Sequence, residues 1–583
     1  METRELKERI QLYLKGEEYP SFRKEVEDLL QKEEWRELQD RFYRDLEFGT
    51  GGMRGVIGGG TNRMNPFTVR RATQGLSNYL RKQKPRSVAV IAYDSRRFSD
   101  IFAREAARVL GSNGIRTYIF STLRPTPMLS FAVRLLRADT GIVITASHNP
   151  PEYNGYKVYW ADGAQIVPPH DRGIIQEVGK VSTGILCRPL EELESDGWVC
   201  FIDREVDEAY FRMVETTVLR PNLFLEEAST VKVVYTPLHG TGTFPVETVL
   251  KRLGVSVQTV PSQRMPDGNF PTVKYPNPEE AEALHLALEL GTELKADLVM
   301  GTDPDADRLG VAVEDQGKFV LLTGNQLGCL LEDYILSTRK ELGTLPRKPI
   351  IIKTIVTTEL QRKIAEHYGA SCIDVLTGFK YIGEMIRRFE EEKSEYQYVF
   401  GGEESYGYLV NTEVRDKDAV SAAVMAVEMC LYYRSQGKSL YRRLQELFFQ
   451  FGHYREALVS KEFKGEEGMR QMEELMNTLR TSPPDRIGSR RVVKIKDYLM
   501  GIERNAEGRE TGKISLPRSN VLQFFLEDES ILSARPSGTE PKIKFYISCC
   551  TLPGLTGIEA ERELHTKIAS VKQFVDQLFT APY

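Results

Sequence analysis

The sequence predicts an α/β protein: three related domains of βαβ type, followed by a smaller α+β domain. Two observations carry this. An apolar strand, an amphipathic helix, a glycine stop and a second strand recur in that order at three places, and that order is the βαβ unit. The last segment of the 583 residues breaks the pattern.

Residues 1–45 come first. They are charged and helix-like, with Trp35, Leu38, Phe42 and Leu46 at helical spacing in and just after EEWRELQDRFYRDL. In the first repeat, SVAVIAY (87–93) is a strand, Ser99 is expected to cap the helix IFAREAARVL, Gly111–Gly114 close it, and IRTYIF resumes as a strand. VKVVY (231–235), PVETVLKRLG and VSVQTV make the second repeat. IIIKTIV (350–356), TTELQRKIAEHYG and SCIDV make the third. Toward the end, VLQFFLED and KIKFYISC flank a glycine-containing loop, and IEAERELHTKIASVKQFVDQLF is an amphipathic helix. The expected domains are 1–214, 215–325, 326–454 and 455–583. Crossover connections would line up the loops after the strands along one edge, where open α/β sheets bind ligands.

Composition narrows the function. The net charge of −5 leaves no broad basic footprint for nucleic acid, but a local Arg/Lys cluster can still hold an anion. No apolar run approaches the roughly 18 residues of a membrane helix. The opening METRELKERI is too charged for a signal peptide, and seven cysteines without a C-x-x-C pair favour neither a disulfide framework nor a zinc site. A cytoplasmic protein is expected, without nucleic-acid or membrane partners. Its oligomeric state, monomer or dimer, stays open.

Chemistry is concentrated in a few loops. GIVITASHNP (141–150) is a buried-type strand ending on Ser147, either an ordinary turn or a hydroxyl delivered to a cleft. A Ser–His hydrolase is disfavoured, because in an extended chain Ser147 and His148 diverge and there is no G-x-S-x-G elbow. ADLVMGTDPDADRLGVAV (296–313) brackets Asp303, Asp305 and Asp307 with strands. In an extended loop residues two apart face the same way, so the three carboxylates should converge, and the cation suited to so few hard oxygens is Mg²⁺. Arg308 stands where an EF-hand has glycine, and Asp307 departs from the D-x-D-x-[TV] of a dehalogenase-type phosphatase. RPSGTEPK (535–542), with Lys544, offers backbone N–H groups, hydroxyls and positive charge for a phosphate. GGEESYG (401–407) can bring a carboxylate to vicinal sugar hydroxyls, and GTGGMRG (49–55) projects Arg54 toward an anion. Lys157 follows Ser147 closely enough to stay near it after a turn at Pro150–Pro151.

Together and in this order, TASHNP (145–150), GTDPDADR (301–308), GEESYG (402–407) and RPSGTEPK (535–542) resemble the α-D-phosphohexomutase family. LEFGTGGMRGVIGGGTNRMN (46–65) and GYKVYWADGAQIVPPHD (155–171) are similar to the branch that contains bacterial α-phosphoglucomutases and the phosphoglucomutase-2/phosphopentomutase proteins. The resemblance implies four domains around a central cleft. Ser147 would carry a phosphoryl group and complete the Mg²⁺ shell of Asp303, Asp305 and Asp307. Arg308 and Arg54 would face the transferring phosphate. Thr377, Glu403, Ser405 and Lys417 would contact sugar. Arg535, Ser537, Gly538, Thr539 and Lys544 would hold the phosphate that is not reacting. The histidine of the G-E-M-S-G-H members is replaced in GEESYG, leaving Lys157 and Lys417 as candidate bases and favouring glucose. The implied activity interconverts glucose 1-phosphate and glucose 6-phosphate through glucose 1,6-bisphosphate. Pentose or mannose phosphates are the alternatives within the family, and sugar-phosphate hydrolysis a remoter one.

Overall fold

The apolar runs of the first repeat become the interior of a six-stranded sheet. In this computed structural model, which describes residues 3–49, 51–182, 184–463, 465–536 and 542–579, the chain forms two compact units. One comprises Met1–Pro349 with Phe379–Ser439, the other Ile350–Gly378 with Leu440–Tyr583.

In the first unit, β1 (Gly52–Val56), β2 (Val88–Tyr93), β3 (Arg116–Phe120), β4 (Thr140–Ile144), β5 (Tyr153–Trp160) and β6 (Val199–Ile202) assemble in the order β1-β5-β4-β2-β3-β6. Strands β4, β2, β3 and β6 run parallel, while β5 is antiparallel to both β4 and β1. Helices Pro66–Gln83, Ser99–Ser112 and His170–Lys180 contribute Leu76, Leu110 and Ile174 to one apolar core with Ile91, Ile142 and Ile144 from the strands. On the opposite face Val90, Ala92 and Val143 are buried as well, and burial on both faces is what makes β2 and β4 read as continuous apolar runs.

A second sheet repeats the plan with β7 (Lys232–Thr236), β8 (Ser256–Thr259), β9 (Leu298–Thr302), β10 (Leu309–Asp315) and β11 (Lys318–Leu321), ordered β11-β10-β9-β7-β8. Here too the parallel strands β8, β7 and β9 are followed by antiparallel β10. The same unit holds a short hairpin, Gln397–Glu403 with Gly407–Leu409, and the helix Ala419–Ser435, which is buried on almost every side. The second unit has a parallel pair, Ile350–Thr354 with Ser371–Val375, and an eight-stranded sheet covered by the helix Gly557–Gln577, whose Leu564, Val571 and Val575 enter the core.

Local details depart from the sequence reading. Ser99 is the first helical residue rather than the cap; the preceding Phe98 sits at φ +63°, and the Ser99 hydroxyl donates to Asp94 at 2.8 Å. The helix starting at Trp35 ends at Phe42, so Leu46 falls outside it, and only Leu38 and Phe42 of the predicted face are fully buried. Residues 3–42 form three helices with a small core of their own around Tyr13, Leu38 and Phe42. They dock on the first sheet through Phe22, which packs against Phe98 and Phe102.

Glycine matters most at Gly155, in β5 opposite Arg54 of β1. A Cβ there would lie 2.5 Å from the Thr145 carbonyl oxygen and 2.9 Å from that of Met53. The two strands flanking β5 can close only because that atom is missing. Gly155→Ala is expected to destabilise the protein by about 1–3 kcal/mol, read as a lower urea midpoint with unchanged far-UV circular dichroism.

Candidate active site

Three hairpins of the first unit deliver the site, and each joins a strand to an antiparallel neighbour. Between β4 and β5 lies Ser147. Between β9 and β10 lie Asp303, Asp305 and Asp307. Between Gln397–Glu403 and Gly407–Leu409 lies the turn Glu404–Tyr406. In each turn one non-glycine residue holds a left-handed backbone: Ser147 at φ +51°, Ala306 at +46° and Tyr406 at +63°. Such residues persist only where surrounding contacts fix them.

The aspartate loop is tied down from several sides. Thr126 donates its N–H to the Asp305 carbonyl and its hydroxyl to Asp305 Oδ2, both at 2.9 Å. Thr241 donates its N–H and hydroxyl to the Pro304 carbonyl, each at 2.8 Å, and Ala419 N–H reaches the Ala306 carbonyl at 3.3 Å. The loop is not extended. It turns at Ala306 so that the N–H groups of Asp307 and Arg308 donate to Asp303 Oδ1 at 3.1 and 3.0 Å. The carboxylates therefore converge through a turn rather than through strand-like alternation.

Each of the three offers one oxygen within 4.8 Å of the others, and all three side chains are buried. Asp305 Oδ1 and Asp307 Oδ1 have no hydrogen-bond partner among the described residues. Buried, unpartnered oxygens of hard donors fit a divalent cation such as Mg²⁺.

Ser147 Oγ lies 2.6 Å from Asp303 Oδ2. Its left-handed backbone also brings His148 Nδ1 to 3.1 Å from the same oxygen, contrary to the divergence expected of an extended chain. Burial, and after it the charges of Arg308 and Arg54, push the His148 imidazole well below its ordinary value, so the ring is neutral.

Cations surround the acids. Lys157 Nζ is 2.7 Å from Asp305 Oδ2 and 3.5 Å from Asp307 Oδ2. Lys417 Nζ is 3.2 Å from Asp307, 3.4 Å from Asp416 and 3.8 Å from Glu403. Burial lowers both ammonium groups, but the facing carboxylates outweigh it, and each is held above its ordinary value. A Cβ on Gly407 would collide with the Lys417 stem, so glycine in the hairpin lets that lysine through. Arg308 pairs with Glu279 and faces Asp307, while Arg54 donates to Asn149 Oδ1 at 3.3 Å. Glu403 is buried at the end of its strand, and Ser405 sits in the adjoining turn.

The remaining predicted residues belong to the second unit. Thr377 precedes the helix Lys380–Glu391, and its hydroxyl is buried without a partner among the described residues. Arg535 and Lys544 face each other across antiparallel strands. Ser537, Gly538 and Thr539 lie outside the described residues. The sequence reading missed Arg96, Thr126, Glu279 and Asp416, whose roles come from contacts far along the chain. Only Arg96, in DSRR at the end of β2, stood in a strand-end loop where it could have been suspected.

Residues 45–184, 208–317 and 323–451 match the models of phosphoglucomutase/phosphomannomutase α/β/α domains I, II and III. A phosphoglucomutase of Staphylococcus epidermidis is 36% identical over 526 residues, covering 90% of this chain and 94% of its own. One from Staphylococcus haemolyticus is 38% identical over 512 residues, covering 87% and 91%. The chain belongs to the α-D-phosphohexomutase family. The fold of this phosphohexomutase is also that of the Paramecium pp63/parafusin structure, titled a phosphoglucomutase in open form (TM-score 0.70, 19% identity, covering 92% of this chain and 96% of that one). It is likewise that of a Thermus thermophilus structure titled a phosphomannomutase (TM-score 0.63, 22% identity, covering 90% and 99%). The domain I match spans Arg54, Ser147 and Lys157, the domain II match the three aspartates, and the domain III match Thr377, Glu403 and Lys417.

The triad also sets a pH dependence. Burial and the neighbouring Asp305 and Asp307 push the Asp303 carboxyl well above the usual carboxylate range. A raised carboxyl contributes stability that is full below its unfolded value of about 3.9 and is lost as pH rises toward the folded one. Buried His148, pushed the opposite way, gains stability over the same range in any variant. In protein stripped of divalent ions, the urea midpoint on going from pH 5 to pH 8 should therefore fall more, or rise less, in wild type than in Asp303→Asn.

Proposed function

We propose that this phosphohexomutase interconverts α-D-glucose 1-phosphate and glucose 6-phosphate, with Ser147 as the carrier of the phosphoryl group. The single observation that carries the reading is Ser147 Oγ at 2.6 Å from Asp303, beside two carboxylate oxygens with no hydrogen-bond partner among the described residues. The names of the relatives support glucose as the sugar.

In the forward half-reaction the bond from phosphorus to Ser147 Oγ breaks and a bond to the sugar 6-oxygen forms. A lysine ammonium gives its proton to the leaving Ser147 Oγ, and its freed amine takes up the proton of the 6-hydroxyl, so the count of protons is unchanged. The resulting glucose 1,6-bisphosphate turns end over end, and its 1-phosphoryl group returns to Ser147. Phosphoryl transfer needs positioning and charge neutralisation above all. Arg308 and Arg54 stand to face the transferring group. Lys157 and Lys417, held protonated by their carboxylate partners, are placed to return the proton to the leaving oxygen and to retrieve it in reverse. Asp303, Asp305 and Asp307, with an oxygen of phospho-Ser147, would hold Mg²⁺. Bound there, the ion supplies Lewis-acid neutralisation of the transferring phosphate.

Sugar hydroxyls would meet Glu403, Ser405 and the Thr377 hydroxyl. The distal phosphate would meet Arg535, Lys544, Ser537, Gly538 and Thr539. Arg535 and Lys544 stand opposite each other across the strands and would bring two positive charges to that anion. Hydroxyl pairs and phosphates, rather than a whole ring, are what an intermediate that binds both ways round can present.

Intact mass with peptide mapping should find one phosphate, on Ser147. Ser147→Ala should lose both the phosphate and turnover of glucose 1-phosphate in the presence of catalytic glucose 1,6-bisphosphate. Arg308→Ala should cost about 10²–10³ in kcat, and chelation should abolish activity until Mg²⁺ is restored. Full activity in Ser147→Ala would refute the reading.

A further inference from the structure

Behind the serine turn lies a guanidinium that holds the backbone carbonyls of the turn rather than the serine hydroxyl. Arg96 follows β2, the strand next to β4, and its side chain is completely buried. NH2 donates to the carbonyl oxygens of Ser147, at 2.6 Å, and of Asn149. NH1 donates to those of Pro150, at 2.8 Å, and Tyr153, at 3.0 Å. Nε faces Asp94 Oδ2 at 3.4 Å. One face of the group covers the Phe270 ring at 5.0 Å, and Phe270 belongs to the segment after β8, whose Gly268 forms an isolated bridge with Arg96 itself.

Four inward-turned carbonyls in seven residues, 147–153, would be costly to bury without donors. The left-handed backbone of Ser147 points its carbonyl inward and its Oγ at Asp303. A flat fork with paired donors can serve all four oxygens at once; the point charge of a lysine cannot. Thr145 Oγ1, accepting from Ser147 N–H at 2.9 Å, completes the clamp.

We infer that Arg96 is a positioning residue for phosphoryl transfer. It holds the turn 147–153 in the conformation that aims Ser147 Oγ at the aspartate triad, and through Phe270 it couples that aim to the domain carrying the triad. The inference rests on the reading of Ser147 as the phosphoryl carrier. It needs no contact between Arg96 and substrate, so its signature is a fall in kcat with little change in KM.

The test is steady-state turnover of glucose 1-phosphate by wild type, Arg96→Lys and Arg96→Ala, the last with and without methylguanidinium. Arg96→Lys is expected to lose about 10²-fold in kcat, the scale of a misplacement near 1 Å, with KM within about threefold. Methylguanidinium should recover part of the Arg96→Ala loss. Folded Arg96→Lys with kcat within threefold of wild type overturns the inference, and so does a loss borne by KM alone. If neither Arg96 variant folds, Phe270→Leu decides, since it keeps every carbonyl contact and removes only the ring. A several-fold lower kcat at constant KM supports the coupling, and unchanged kcat overturns it. Inactive wild type, by contrast, sinks the functional reading rather than this one.

Discussion

The first unit is organised around the cost of burying three carboxylates on one turn. Asp303, Asp305 and Asp307 are within 2% of complete burial, where unpaired charge is far more expensive than in water. Lys157 and Lys417 answer two of them directly and Arg308 lies alongside. These cations come from β5, from the residue before the cap of the helix Ala419–Ser435, and from the turn's own end. Two of them are held in turn by their own surroundings: Lys417 N–H donates to Asp416, which also accepts from the Tyr159 hydroxyl, and Arg308 pairs with Glu279. One concentration of negative charge thus fixes side chains from three stretches of sequence.

The strand layouts explain why those stretches can meet. In both large sheets of this unit, parallel strands give way to one antiparallel strand, and the functional turn sits at that change of direction: β4 to β5 for Ser147, β9 to β10 for the aspartates. A tight antiparallel connection is short and stiff, whereas a parallel connection needs a long crossover. Residues placed on it are anchored by a strand at either end. The cost is local backbone strain at Ser147, Ala306 and Tyr406, and the contacts through Arg96, Thr126, Thr241 and Ala419 offset it.

Helices 3–42 lie outside the matched domain models, yet they are built into the first domain. Asp45 is shared between Arg9 and Arg71, Glu25 accepts from the Gly59 N–H at 2.7 Å, and Arg41 donates to the Gly59 carbonyl at 3.1 Å. These contacts bracket β1 and so steady the strand that carries Arg54.

Much of this was legible in the sequence because it is local. Apolar runs buried on both faces announce β2, β4, β7 and β9, glycine stops announce helix ends, and three acids at alternate positions announce a cation site whatever the backbone does between them. The motifs pointed to the family, which the domain matches show, and singled out Ser147 and the three aspartates, which the fold brings together. What the tertiary structure alone decided was geometry arising between distant residues. The turn at Ala306, the left-handed Ser147 that brings His148 to its own oxygen, and the Arg96 fork all exist because separate segments impose them. Spacing along a chain records which groups are available. The dihedral angles that aim them are set by contacts far along the chain, such as Arg96 to Ser147, 51 positions apart, and Ser147 to Asp303, 156 apart, and no local pattern encodes those.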